Sequence, residues 1–163
     1  LVEQNDWINE DWSEKGDISE LKNIYSDWHP EIQEILESTN PDSLYKWGLH
    51  DRAPLNKWSK GRFSLLGDAA HPMLPFVAQG AAMAIEDGIV LASSLSSFDN
   101  AELGLYDYEN KRKYRTAKAQ RTAIRNATIF HLSDFFAIFR NLVMKFFIKK
   151  IMDGFYKYDA ISK

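Results

Sequence analysis

Apolar residues recur at helical spacing through most of this chain and alternate in only short stretches. Asp17, with Glu20 three residues later, resembles a capping box and predicts a helix running to about Trp28. Pro30 opens a second, shorter helix with Ile32, Ile35 and Leu36 on one face. Leu44 to His50 alternates and predicts a strand ending in the turn-prone Asp51 to Pro54. The run Arg62-Phe63-Ser64-Leu65-Leu66 predicts a buried strand that stops at Gly67. From Ala78 to about Leu95 the pattern is helical, with small residues early and aliphatic ones late. Asp99-Asn100 breaks it and caps a long amphipathic helix over about 101–131, with Leu103, Tyr106, Ala117, Ile124 and Phe130 among its apolar positions. A last helix over about 134–151 precedes an aromatic tail, Phe155-Tyr156-Lys157-Tyr158.

Two or three strands and five helices do not close a sheet. The strand at 61–66 is left with unpaired edges unless another chain or a further segment covers them, so the sequence reads as incomplete. Composition allows one modest core: 163 residues, 45% hydrophobic and 26% charged. A net charge of -3 gives no reason to expect a nucleic-acid partner. The charge is unevenly spread, with twelve acids against Lys15 and Lys22 in residues 1–42, and seven bases against three acids in 101–131. Two solvated faces account for this, with a phosphate or membrane patch as the alternative. The absence of cysteine excludes a disulfide framework and fits a reducing compartment, so a cytoplasmic location is expected. The first residues show no secretory pattern. Phe135 to Ile148 is too short to span a bilayer and carries Arg140 and Lys145, so no membrane span is expected.

Chemistry concentrates in "GRFSLLGDAAHPMLPFVAQGAAMAIEDG", residues 61–88. Gly67 can adopt backbone angles other residues avoid, and Asp68 follows at the carboxyl end of a strand, where open α/β sheets place ligands. An ionised Asp only accepts hydrogen bonds, so it suits a sugar hydroxyl and repels a phosphate. Gln79-Gly80-Ala81-Ala82 opens a helix whose first amides lack intrahelical partners and favour negative charge. Pro72 and Pro75 stiffen the loop between. A ligand with sugar hydroxyls at one end and an anion-forming ring at the other matches both, and a flavin dinucleotide has both. The plain alternative is a strand, a capped turn and an Ala-rich helix packed closely. His71 is expected to bond backbone across the turn, and Glu86-Asp87 to be a solvated or helix-pairing acid pair. His29, His50 and His131 lack metal-ligand spacing, so no metal site is expected. Phe135, Phe136, Phe139, Phe146 and Phe147 read as core or interface.

The string "GDAAHPMLPFVAQGAAMAIEDG" is similar, nearly word for word, to the second FAD-binding motif of the group A flavoprotein aromatic hydroxylases, of the salicylate and 3-hydroxybenzoate hydroxylase type. The flanks "WGLHDRAPLNKWSKGRFSLLGD", "LYDYENKRKYRTAKAQ", "RNATIFHL" and "DWHPEIQEIL" resemble the same family, so the likeness covers almost the whole chain. The resemblance implies an α/β fold: the C-terminal part of a Rossmann-like FAD-binding hydroxylase, mostly helical with two or three strands. The family's N-terminal βαβ unit with Gly-x-Gly-x-x-Gly is absent, as is its middle Asp-Gly motif. It divides the chain into the end of a substrate-binding domain (1–57), an FAD-binding segment (58–100) and C-terminal helices (101–163).

Carried over by position, Asp68 binds a ribitol hydroxyl of FAD and Gly67 allows the approach. Pro75 lies beside the isoalloxazine near the substrate, and the amides of Gly80, Ala81 and Ala82 face the flavin N1 and O2 edge. Gln79 touches flavin or substrate, while Arg52 and Trp58 organise the loop. The implied parent is an FAD-dependent monooxygenase that hydroxylates a small phenolic acid with NADH or NADPH and O2. The isolated piece is expected to be inactive without an N-terminal FAD-binding half, and to dimerise through its unpaired surface. Two alternatives stand beside this: a noncatalytic interaction module or split-enzyme subunit, and a flavin monooxygenase acting on a nonaromatic substrate.

Overall fold

The computed structural model describes residues 13–161, so the start of the acidic segment, residues 1–12, lies outside the described residues. Packing divides the chain into two compact units, one ending at Leu49 and the other beginning at His50.

In the first unit Asp17 caps helix α1 (Ile18–Ile24), its Oδ1 accepting from the amides of Ser19 at 2.7 Å and Glu20 at 3.3 Å. The helix stops short of the predicted Trp28. Helix α2 (Pro30–Glu37) starts at its proline, and the residue before a proline is pushed out of the helical region, as His29 is at φ -50 and ψ 141. The predicted strand at 44–50 contracts to one isolated antiparallel bridge between Lys15 and Tyr45. Among the described residues Trp47 and Leu49 remain exposed.

The second unit begins its regular structure with a short antiparallel hairpin, β1 (Ser59–Lys60) and β2 (Phe63–Ser64), that turns at Gly61. The predicted buried strand at 62–66 is therefore corrected. The hairpin's two-residue period sends Ser64 inward, its Oγ 2.9 Å from that of Ser59, and leaves Phe63 82% exposed. Two 3-10 turns follow, Gly67–Ala69 and Pro75–Val77. The rest is helical: α3 (Gly80–Ser96), α4 (Ala101–Phe130) and α5 (Asp134–Tyr156). Mostly helical with two strands, the chain matches the fold expected of it.

Helices α3 and α4 form an antiparallel hairpin, because partners descend on one as they ascend on the other: Ser94 with Asp107, Asp87 with Arg112, Glu86 with Arg115. At its tip Gly104 permits close approach, since a Cβ there would stand 3.1 Å from the Leu95 Cα. Of the apolar positions named on α4, only Ala117 is buried; Leu103, Tyr106, Ile124 and Phe130 are exposed. The buried stripe instead runs through Leu105, Tyr108, Arg112, Thr116, Gln120 and Ala123 at helical spacing. It is partly polar because it faces loop backbone as well as core.

Two apolar clusters flank that stripe. Trp58, Ala70, Val90 and Tyr108 form one, and Met83, Ala119 and Phe155 the other. Helix α5 runs on past 151 to take in Phe155 and Tyr156 of the tail, and Phe155 is its buried anchor. Phe135, Phe136, Phe139, Phe146 and Phe147 are not core within this chain, being 53% to 73% exposed. Among the described residues no helix is long and apolar enough to cross a membrane.

The α4 start is fixed by Asn100, whose Oδ1 accepts from Glu102 N at 2.8 Å. Asn100→Ala is expected to destabilise the second unit by about 1 kcal/mol, the usual worth of an N-cap. A urea titration reads this as a lower midpoint at unchanged slope.

Candidate functional site

The segment after β2 lies along one face of α3. Gly80, Ala84 and Asp87 stand four and seven positions along the helix, so they share that face. Each meets a particular part of the loop. A Cβ placed on Gly80 would stand 4.0 Å from the Oδ1 of Asp68, and one on Gly67 would stand 3.3 Å from the Ala84 Cβ. Gly67 needs its missing side chain twice over, because its φ is 59 as well. The Asp68 carboxylate thus reaches the beginning of α3 across the bare backbone of Gly80. There the N-cap residue, Gln79, contributes no side-chain capping bond. Ala78, just before it, holds a left-handed φ of 51 that turns the chain into the helix.

The third contact is a buried charged cluster. Asp87, fully buried, accepts through Oδ2 from Gly67 N at 3.1 Å and lies 2.6 Å from His71 Nε2. Its Oδ1 accepts from Arg112 Nε at 2.6 Å. Arg112 also pairs through Nη1 with Glu86 at 2.8 Å, and Glu86 is gripped by Arg115 at 2.6 Å and 2.7 Å. Burial opposes ionisation of Asp87, but the bonds from His71 and Arg112 outweigh it and hold the carboxyl below its ordinary range. Burial likewise opposes the charge on Arg112, and Asp87 and Glu86 overcome it and raise the guanidinium further.

Helix α4 holds the other side of the loop. Gln120 Nε2 donates to the carbonyls of Arg52 and Pro72, each at 3.0 Å, and Asn126 Nδ2 to that of Phe76 at 3.0 Å. Arg52 donates to Ala69 O at 2.7 Å, while Trp58 is buried against the rings of His71 and Tyr108. Nearer the hairpin, Glu109 Oε2 accepts from Ser59 N at 2.9 Å. Burial opposes its ionisation, and the Trp58 and Ser59 amides more than compensate.

Of the residues singled out in the sequence, Gly67, Asp68 and Gly80 are brought together directly. Pro75 opens the second 3-10 turn, its carbonyl accepting from Ala78 N at 3.1 Å, and so leads into buried Gln79. Ala81 and Ala82 follow in the first turn of α3. Two expectations, for the His71 ring and for the basic stretch on α4, are corrected. His71 bonds a carboxylate rather than backbone with its ring, because Asp87 faces it from α3. Of the two readings of Glu86-Asp87, the helix-pairing one holds, since both acids pair α3 with α4. Part of the basic stretch on α4 is consumed by them instead of facing water. Asp87, Arg112, Gln120 and Asn126 were missed as organisers of the site. The one available signal was that Asp87 and Gly80 stand seven apart, which puts the acid on the glycine's face.

Two outcomes follow. Gly67→Ala is expected to cost about 1–2 kcal/mol from the left-handed backbone alone, read as a lower denaturation midpoint. Because Asp87 ionises more readily when folded, its contribution is full above the ordinary aspartate value of 3.8 and is lost as pH falls below it. Thermal melts should show Asp87→Asn destabilising by about 3–5 kcal/mol near neutrality, and by progressively less in acid.

Residues 5–123 match the FAD binding domain family. The chain is similar to the 6-hydroxynicotinate 3-monooxygenase of Pseudomonas fluorescens, with 46% identity over 116 residues, 70% of this chain and 29% of that protein. It is 34% identical over 144 residues to the 3-hydroxybenzoate 6-hydroxylase of Klebsiella oxytoca, covering 88% of this chain and 35% of that one. Among solved structures, HpxO of Klebsiella pneumoniae complexed with FAD and uric acid superposes with a TM-score of 0.73 at 25% identity. That likeness covers 84% of this chain and 36% of HpxO. The chain spans about a third of the length of the curated relatives it matches. With the family match running over more than half of its residues and through the Gly67–Asp68 turn, this chain belongs to the FAD binding domain family, alongside FAD-dependent aromatic hydroxylases.

Proposed function

We propose that this chain supplies the flavin-ring side of an FAD-dependent monooxygenase that hydroxylates a small phenolic acid with NAD(P)H and O2. The observation that carries the reading is the Asp68 carboxylate standing at the start of α3, over the space that a side chain at Gly80 would fill. The residues fit FAD. An exposed acid that only accepts hydrogen bonds suits ribitol hydroxyls, and the bare Gly80 leaves room beside it. The first amides of α3 receive no side-chain cap from Gln79, so they remain able to donate to an electron-rich edge.

Each residue then has a task. Asp68 accepts from the ribitol and orients it, with Gly67 allowing the close approach. The amides of Gly80, Ala81 and Ala82 donate toward the N1 and O2 edge, where preorganised dipoles stabilise negative charge without rearranging. Pro75, with its fixed φ, walls the ring on the substrate side, and Gln79 contacts flavin or substrate. Bound FAD supplies the redox chemistry, accepting a hydride from NAD(P)H and activating O2. The chain's own share is to place the ring, favour its anionic reduced form and exclude water.

The 163 residues contain no Gly-x-Gly-x-x-Gly, so we infer that alone they hold FAD weakly and do not turn over. A second reading has one observation in its favour, the exposed phenylalanines of α5, which suit an interaction module. Gel filtration with an absorbance spectrum, run with an N-terminal FAD-binding half and FAD present, separates them: a yellow heterocomplex supports a split enzyme, and a colourless chain that ignores that half supports the module.

Asp68→Ala is expected to weaken FAD binding about tenfold or more, since a charge-assisted hydrogen bond is worth about 1.5–3 kcal/mol. Flavin fluorescence during an FAD titration measures it, and an unchanged affinity sinks the assignment of Asp68. In the whole parent enzyme, a phenolic acid should stimulate NAD(P)H oxidation and yield a product one oxygen heavier. A flavin-loaded parent that leaves phenolic acids unoxidised would overturn the substrate class.

A further inference from the structure

We propose that Asp87 is the positioning residue for Asp68, fixing where that carboxylate stands over the start of α3. The proposal rests on the reading of Asp68 as a flavin contact and adds what places it.

Asp68 makes no hydrogen bond or ion pair of its own among the described residues, so its location is dictated by the backbone on either side. That backbone is closed into a ring of hydrogen bonds through Asp87. Gly67 N donates to Asp87 Oδ2 at 3.1 Å; Gly67 O accepts from Ala70 N and His71 N, both at 2.9 Å; and His71 Nε2 returns to the same Oδ2 at 2.6 Å. Both ends of the turn that displays Asp68 therefore converge on one oxygen atom, while Arg52 braces its middle through Ala69 O at 2.7 Å. Asp87 and His71 are both fully buried, so water does not compete for these bonds. The other oxygen is held by Arg112, which stops the carboxylate from rotating. Asp87 stands seven residues beyond Gly80, a rise of about 10 Å on the same face of the helix. One rigid helix thus carries both the anchor of the turn and the amides that the turn faces, and their spacing is set by the helical repeat.

A purely architectural Asp87 would lower stability without selecting the turn. The test compares variants of the full 163-residue chain by nuclear magnetic resonance, following amide exchange and the shifts induced by titrated FAD. His71→Leu removes the return bond; His71→Gln keeps an N–H near the Nε2 position. Asn100→Ala removes the α4 cap, outside the hydrogen-bond network of Asp87, and serves as the stability control. His71→Leu is expected to speed exchange at Gly67 and Ala70 about tenfold or more, and to weaken the FAD-induced shifts at Asp68 and Gly80 by a similar factor. His71→Gln should restore most of both, and Asn100→Ala should change neither despite a lowered Tm. Equal weakening in His71→Leu and Asn100→Ala would overturn the proposal, as would unaltered FAD shifts in His71→Leu. No FAD-induced shift at Asp68 in the unsubstituted chain, with FAD raised to millimolar excess so that a weak site fills, would instead refute the flavin reading itself, and this inference with it.

Discussion

The second unit depends on a charge kept out of water. Asp87, on α3, joins two segments that are far apart in sequence: the turn from Gly67 to His71, through an amide and an imidazole, and the guanidinium of Arg112 on the neighbouring helix. Removing a carboxylate from solvent costs several kcal/mol, which only full hydrogen bonding offsets. Here both oxygens are engaged and the positive partner is itself flanked by Glu86. A cluster of this kind is a weak source of net stability compared with well-packed apolar residues. What it gives is directionality, because hydrogen bonds fix angles where a leucine contact would allow sliding.

That distinction explains which parts of the molecule could be read in the sequence. Asp17, Pro30 and Asn100 act within a few residues of themselves, so the starts of α1, α2 and α4 follow from local chemistry. The unusual string around Gly67 and Asp68 was visible for the same reason, since its meaning lies in adjacent residues. Elements that depend on a distant partner were misread. The alternation at 44–50 looks like a strand, but among the described residues only Tyr45 finds a bridge partner. The run at 62–66 is apolar enough for a core strand, yet it turns back on Ser59 and exposes Phe63.

Polar residues on α4 show the same limit more sharply. Lys111 through Arg125 reads as a solvated basic face when counted by charge. In the fold Arg112 is fully buried and Arg115 is mostly enclosed, while Lys111 stays at the surface beside Asp107. Adjacent residues on one helix thus belong to different environments, and only the position of α3 decides which. The aromatic tail adds to this, with the Tyr158 ring 3.8 Å from the Arg115 guanidinium and Phe155 O accepting from the same side chain. Nothing in the composition of either segment marks them as partners.

Helix α4 also acts as a measuring rod. Glu109, Arg112, Gln120 and Asn126 engage β1, α3, the Pro72 carbonyl and the Phe76 carbonyl in turn. Inserting one residue between Arg112 and Gln120 would rotate every later rung by about 100° and detach the carboxamides from their carbonyls. Length changes are therefore forbidden in that stretch, whereas the surface connection at 97–100 has no such rungs to keep in phase. Natural variants of this domain should accumulate their insertions and deletions at the helical tip and spare the rod.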